Sequence, residues 1–253
     1  MRIAIIGAGA IGGAIAEGLL KSDFIKGDDL TISNPTAQKL TRFAEMGASV
    51  TTDNAEAARQ ADVIIIAVKP WLVEEVLTGL DTTRKTVVSL AAGITSEQLL
   101  QWVSLYADLW LAIPNIAASE KASMTFLVPV KNTNRTDVQG LFDAVGRTFV
   151  CPERLLPAGT TLASCGLAYA MRYVRASTEG GVELGFRAYE AQEIVLQTVL
   201  GVVRLLQASG MHPEQAVDLV TTPGGLTIRG LNEMERAGFS SAVIRGLRAG
   251  LSQ

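Results

Sequence analysis

The stretch that decides the fold is "RIAIIGAGAIGGAIAEGLL", Arg2–Leu20. Its opening, "RIAII", is a short apolar run and reads as a buried strand. Gly7, Gly9 and Gly12 follow in the spacing G-x-G-x-x-G, and an amphipathic helix opens directly behind them. In a chain with 24 glycines that spacing alone means little. Between a strand and a helix it marks a dinucleotide-binding turn. Gly7 permits the tight turn, Gly9 lets the backbone approach a pyrophosphate, and Gly12 brings helix and strand close. The helix N-terminus supplies N–H donors for the anion.

Working outward, further strands are expected at 30–33, 62–68, 85–91, 108–113, 123–130 and 146–150. Helical patterns lie at 10–22, 35–46, 54–60, 72–79 and 95–104. This alternation predicts an α/β fold: a doubly wound, mostly parallel Rossmann sheet with helices on both faces. After about residue 155 the pattern turns all-helical, with long helices over 161–185 and 188–209. "EAQEIVLQTVLGVVRLLQ" (190–207) is apolar on more than one face, so it needs a partner surface. The expected organisation is a dinucleotide-binding domain over 1–155 and a helical dimerisation and substrate domain over 156–253. The expected assembly is a homodimer or an assembly of dimers.

The totals exclude several classes. In 253 residues, 48% are hydrophobic, 19% charged, and the net charge is −3. Nothing there favours nucleic acid or an anionic membrane. The apolar runs fall short of the roughly 20 residues that cross a bilayer. Met1 leads straight into a strand rather than a cleavable signal. Two cysteines and one histidine leave no metal-ligand spacing and no Cys/His nucleophile pair. A reduced, cytoplasmic protein without a metal is the expectation.

The end of the second strand selects the dinucleotide. An NAD site usually offers an acid there for the ribose 2′-hydroxyl. Here the residues are Ser33, Asn34, Pro35 and Thr36, with Lys39 and Arg42 nearby. Neutral donors beside cations suit a 2′-phosphate, so NADP(H) is preferred and NAD(H) is the alternative. The same residues also suit capping of the second helix.

Three further stretches, "AVKP" (67–70), "AAGIT" (91–95) and "HPEQAVDLVTTPGGLTIRGL" (212–231), together resemble the pyrroline-5-carboxylate reductase family. The likeness spans nearly the whole chain and keeps motif order. It implies NAD(P)H-dependent reduction of a cyclic imine and a C-terminal helical domain that interlocks with a second subunit. It also implies roles. Ile6, Gly7, Ala8, Gly9, Ala10 and Ile11 match the pyrophosphate loop, and Ser33 and Asn34 the 2′-phosphate region. Asn54 matches an adenosine-side contact. Ala67, Val68, Lys69 and Pro70 match the loop beside the cofactor. Ala91, Ala92, Gly93 and Asn115 match positions near the nicotinamide. Ser164, Cys165, Gly166, Tyr169, Thr222, Gly224 and Gly225 fall where the family binds substrate.

Departures from the family's pattern cluster at the substrate. Its Pro-Asn-Thr-Pro is here Pro114-Asn115-Ile116-Ala117. Its Ser-Gly-Ser-Gly-Pro-Ala-Tyr is Ala163-Ser164-Cys165-Gly166-Leu167-Ala168-Tyr169, and Leu226 replaces a threonine. Where the family places hydroxyls, methyl, thiol and isobutyl groups stand instead in two or three places, which makes the pocket less polar. The default substrate is 1-pyrroline-5-carboxylate, giving proline. The alternatives are a different, less polar imine, or a nucleotide-binding regulatory protein without turnover. Thr227 is the candidate proton route, through water. Gly224 and Gly225 let backbone N–H groups reach a substrate carboxylate. Tyr169 reads as core or proton donor and His212 as a helix cap. Cys165, with no histidine partner, reads as a pocket residue at the N-terminus of the first long helix rather than a nucleophile.

Overall fold

The computed structural model describes residues 1–133 and 136–251. Residues Met1–Ser164 form one compact unit and Cys165–Gln253 a second. The first compact unit runs past residue 155 to Ser164. The reason is that Leu156 joins the first unit's core, Gly159 sits against the Phe126 ring and Thr161 is buried.

The first unit is built on one eight-stranded sheet: β1 Ile3–Ile6, β2 Leu30–Ser33, β3 Ser49–Thr51, β4 Val63–Ile66, β5 Thr86–Ser89, β6 Asp108–Ile113, β7 Ser123–Lys131 and β8 Gly146–Val150. Their spatial order is β3-β2-β1-β4-β5-β6-β7-β8. The chain therefore starts mid-sheet, winds outward through β2 and β3, then returns to β4 on the other side of β1. That reversal opens a crevice at the C-terminal ends of β1 and β4. Every neighbouring pair is parallel except β6 and β7. Only residues 114–122 join those two strands, too few for a crossover, so β7 must run back.

The helices of this unit are α1 Ala10–Leu20, α2 Thr41–Glu45, α3 Asn54–Arg59, α4 Val73–Thr78, α5 Ser96–Trp102, α6 Val138–Asp143 and α7 Leu156–Gly159. Alternation along the strands divides the core in two. Ile3 and Ile5 of β1 pack with α1, Phe43 and Phe142, while Ala4 and Ile6 face the opposite cluster with Val73, Leu77 and Leu99. β1 and β4 are buried along their whole length. Each fully buried Ile or Val there contributes about 1.5–3 kcal/mol.

The second unit comprises α8 Gly166–Glu183, α9 Ala188–Ser209, α10 Pro213–Leu219, α11 Leu226–Arg236 and α12 Phe239–Ala249. α8 packs along α9 and α11 against α12, and the Tyr173 and Phe239 rings meet edge-on. Ala191 is the one buried residue among the described positions of these helices. Ile194, Leu196, Leu200, Val203 and Leu205 of α9 are all exposed. No single helix among the described residues is long and apolar enough to cross a membrane.

Candidate active site

The turn from β1 into α1 is shaped by contacts that exclude side chains. Gly7 has φ +108°, and a Cβ there would lie 2.6 Å from the Ala67 carbonyl oxygen. A Cβ on Gly12 would collide with the Gly7 carbonyl oxygen. A Cβ on Gly9, by contrast, would meet nothing within 4 Å. Gly9 caps α1 without a side-chain hydrogen bond, and the helix's first turn carries no acid. The N-terminal N–H groups of α1 therefore face a space open to an anion.

That space is one end of a cleft of about 650 Å³ lying wholly within the first unit. Its wall brings together Gly7, Gly9, Ala10 and Ile11 from the turn, Asn34 and Pro35 from the end of β2, and Asn54 from the start of α3. Ala67, Val68, Lys69 and Pro70 after β4, and Ala91 and Ala92 after β5, complete it. Lys39, Leu72, Glu75, Val76 and Leu90 line it as well. Lys39 carried a signal in its nearness to the β2 end. Leu72, Glu75 and Val76 lie on or beside α4, where no motif marks a wall residue.

Other expected positions lie outside the wall. Ile6 is buried in β1, and Gly12 is buried in α1. Ala8 lines a neighbouring depression with Gln38, Lys39 and Arg42. Gly93, at φ +81°, and Thr36 are exposed beside the cleft's rim segments. Ser33 is fully buried, and its hydroxyl donates to Asn54 Oδ1 at 2.6 Å. That bond fixes the Asn54 carboxamide, and among the described residues its Nδ2 has no hydrogen-bond partner and Asn54 lines the cleft. The end of β2 carries no acid. Lys39 is exposed there, and among the described residues its ammonium has no ion-pair partner. Arg42 instead lies over the Phe43 ring and 3.7 Å from Glu17.

Asn115 is buried, and its side chain is bonded at both ends. Oδ1 accepts from Ala117 N–H at 3.1 Å and Nδ2 donates to the Ala163 carbonyl at 3.4 Å. Ser164 Oγ donates to the Pro114 carbonyl at 3.2 Å. The segment 114–122 is also pinned to α1: Lys21 pairs with Glu17 at 2.8 Å and with Glu120 at 3.0 Å. The bond from Lys21 holds the Glu17 carboxyl below its ordinary range.

In the helical unit the substrate candidates fall on two elements. Cys165 and Gly166 stand where a π-helical turn, Thr160–Cys165, runs into α8. The chain is already helical from α7 onward, so Cys165 lies inside a helical run and not at a free N-terminus. Tyr169 is half-exposed, and its hydroxyl donates to the Gly246 carbonyl at 3.3 Å. Thr222, Gly224 and Gly225 form the turn into α11. Gly224 has φ +70°, Gly225 N–H donates to the Thr222 carbonyl at 2.9 Å, and Gly225 caps α11 without a side-chain bond. Thr227 is exposed in the first turn of that helix. His212 caps α10, with Nδ1 accepting from Glu214 N–H at 3.2 Å. Burial pushes the other thiol, Cys151, above its ordinary range. Among the described residues no cluster of ligands fits a metal.

Comparison with known proteins decides the family. The family model for pyrroline-5-carboxylate reductase dimerisation matches residues 153–253. A second, described as NADP oxidoreductase, coenzyme F420-dependent, matches residues 2–93. The pyrroline-5-carboxylate reductase of Methanosarcina acetivorans is 34% identical over 96% of this chain and 94% of its own length. The chain belongs to the pyrroline-5-carboxylate reductase family. Pyrroline-5-carboxylate reductase 1 of Dictyostelium discoideum is 32% identical over 97% of this chain, which spans 48% of that protein's length. A crystal structure of Plasmodium falciparum pyrroline carboxylate reductase with NADP bound superposes with a TM-score of 0.90 at 25% identity, covering 99% of this chain and 95% of that one.

As a pyrroline-5-carboxylate reductase family member the chain is an NAD(P)H-dependent oxidoreductase, and its cleft fits that cofactor. The open space at Gly9 matches a pyrophosphate, because backbone N–H groups point into it and no side chain fills it. The acid-free end of β2 fits a ribose carrying a 2′-phosphate.

Proposed function

We propose that the protein reduces 1-pyrroline-5-carboxylate to proline with NADPH, in the cytoplasm, as a homodimer or an assembly of dimers. The observation that carries this reading is the β2 end of the cleft, where Asn54 Nδ2 and Lys39 offer donors and no acid is present. The α1 N-terminus would hold the cofactor's pyrophosphate, and Ala91 to Gly93 would lie on its nicotinamide side, with Asn115 holding the segment after β6 through Ala117 and Ala163. When bound, NADPH supplies the hydride that goes to the imine carbon. The imine nitrogen gains a proton as the C=N bond becomes C–N, and Thr227 relays that proton through a water. The uncapped N-terminus of α11, opened by Gly224 and Gly225, receives the substrate carboxylate.

The experiment is NADPH oxidation with 1-pyrroline-5-carboxylate, repeated with Thr227→Val. Turnover that falls at least about tenfold in the variant supports the relay; an unchanged kcat removes Thr227 from it. A second reading is favoured by Ile116 and Leu226 in place of threonines, and by the Ser164 hydroxyl already engaged with Pro114. It takes a less polar cyclic imine as substrate. Turnover confined to imines lacking a carboxylate selects that reading over the first, and NADPH binding without any turnover rejects both.

A further inference from the structure

Asn34 stands between the two phosphate-binding segments and is bonded to both. β1 and β2 pair in parallel as far as Ile6 and Ser33, and Gly7 N–H continues the ladder onto the Ser33 carbonyl at 2.8 Å. The next donor, Ala8 N–H, finds no main-chain carbonyl there, because β2 turns away into Pro35. Asn34 Oδ1 takes its place, accepting Ala8 N–H at 3.2 Å in a buried setting. The same carboxamide donates from Nδ2 to the Thr36 carbonyl at 3.3 Å. Its own N–H goes to the Thr51 carbonyl at 3.2 Å, which fixes the residue at the strand end. Asn34 is 8% exposed, and its bond to Ala8 is buried and shielded from competing water, while its bond to Thr36 is part-buried.

We infer that Asn34 is a positioning residue that couples the pyrophosphate turn to the 2′-phosphate loop without touching the 2′-phosphate. The inference rests on the NADPH reading of the cleft. Oδ1 holds Ala8, and with it the entry to Gly9 and the α1 N-terminus. Nδ2 holds Thr36, and with it the loop leading to Lys39. Asp at this position keeps the acceptor for Ala8 N–H but loses the proton shared with Thr36. It also places a negative charge where acids in NAD sites hold the 2′-hydroxyl. The two variants therefore separate the two bonds.

Fluorescence titration of the intact protein with NADPH and with NADH, alongside steady-state KM and kcat, tests this. Asn34→Ala is expected to raise the KM and Kd for both cofactors about tenfold, since the pyrophosphate they share is misplaced, with kcat falling less than twofold. Asn34→Asp is expected to restore NADH binding and to raise the Kd for NADPH at least thirtyfold. A lowered Tm with unchanged Kd values would reduce Asn34 to a structural residue and overturn the inference. A loss confined to NADPH in Asn34→Ala would also overturn it, by making the contact with the 2′-phosphate direct. If Asn34→Ala does not fold, Asn34→Asp decides alone: an unchanged NADPH-to-NADH ratio rejects the coupling. Failure of the NADPH reading is visible earlier, as absent NADPH binding by the unmodified protein.

Discussion

At the scale of single residues, the glycines of the turn separate folding from binding. Gly12 has no room for a methyl, since its Cβ would enter the Gly7 carbonyl oxygen within a buried helix–strand contact. Gly12→Ala should cost about 1–3 kcal/mol of stability, read as a lowered denaturation midpoint. Gly9 has φ −74°, which alanine adopts freely, and open space around it. Gly9→Ala should keep the wild-type midpoint yet weaken NADPH binding at least about tenfold, because the methyl occupies the pyrophosphate's position. Equal Tm losses in the two variants would refute this division of labour. Lys39 supplies a second residue-level case. Its ammonium, without an ion-pair partner among the described residues, is the cation nearest in sequence to the acid-free β2 end, and a hydrogen bond to a charged group is worth about 1.5–3 kcal/mol. Lys39→Ala should lower the NADPH-to-NADH ratio of kcat/KM by about tenfold or more, and a ratio that stays fixed would place the 2′-phosphate elsewhere.

At the scale of elements, α1 is bound to the segment after β6 by close packing and by charge. A Cβ on Gly18 would strike the Ala118 carbonyl, and Lys21 bridges Glu17 and Glu120. The Lys21 bond holds the Glu17 carboxyl below 4.5, so its stabilisation is present above that pH and is lost as pH falls through the lowered folded value. Glu17→Gln should therefore lower Tm near pH 7, and the deficit should disappear once the pH has fallen below that lowered value. A deficit that persists at low pH would assign it to packing instead. Legibility in the sequence followed the same physics. Strands buried on both faces, such as β1 and β4, announce themselves as apolar runs, and the glycine turn fixes its own neighbours. β3 escapes because it is a three-residue edge strand with Ser49 and Val50 exposed and no pattern to read. α6 did carry a signal, with Asp137 capping it and Val138, Leu141 and Phe142 at helical spacing, but in six residues. The cleft's glycine and loop residues were legible as motifs. Its α4 wall was not, since Leu72, Glu75 and Val76 are ordinary helix residues until the fold turns them toward the crevice.

At the scale of the whole molecule, the cleft that fits the cofactor lies in the first unit, and the long apolar helices of the dimerisation match lie in the second. Every residue lining the cleft lies between Gly7 and Ala92, inside the first unit. The dimerisation match begins at residue 153 and covers the helices that leave their apolar side chains exposed in one chain. Leu196, Leu200 and Val203 repeat at i, i+4 and i+7 along α9, which sets them on one face. Burying such a face between two copies removes the apolar surface that a monomer would leave in water. Leu200→Arg puts a charge into that face, and a buried unpaired charge costs several kcal/mol. The variant should sediment as a monomer at concentrations where the unmodified protein is a dimer. It should still bind NADPH with a Kd within about threefold of wild type, because the residues lining the cleft all lie in the first unit. Reductase activity should fall with the dimer, since the substrate candidates Thr222 to Thr227 sit in the unit whose apolar helices need the second copy. A monomer that retains full turnover would show that assembly serves stability alone, and a variant that loses NADPH affinity with its partner would place part of the cleft's support in the second unit.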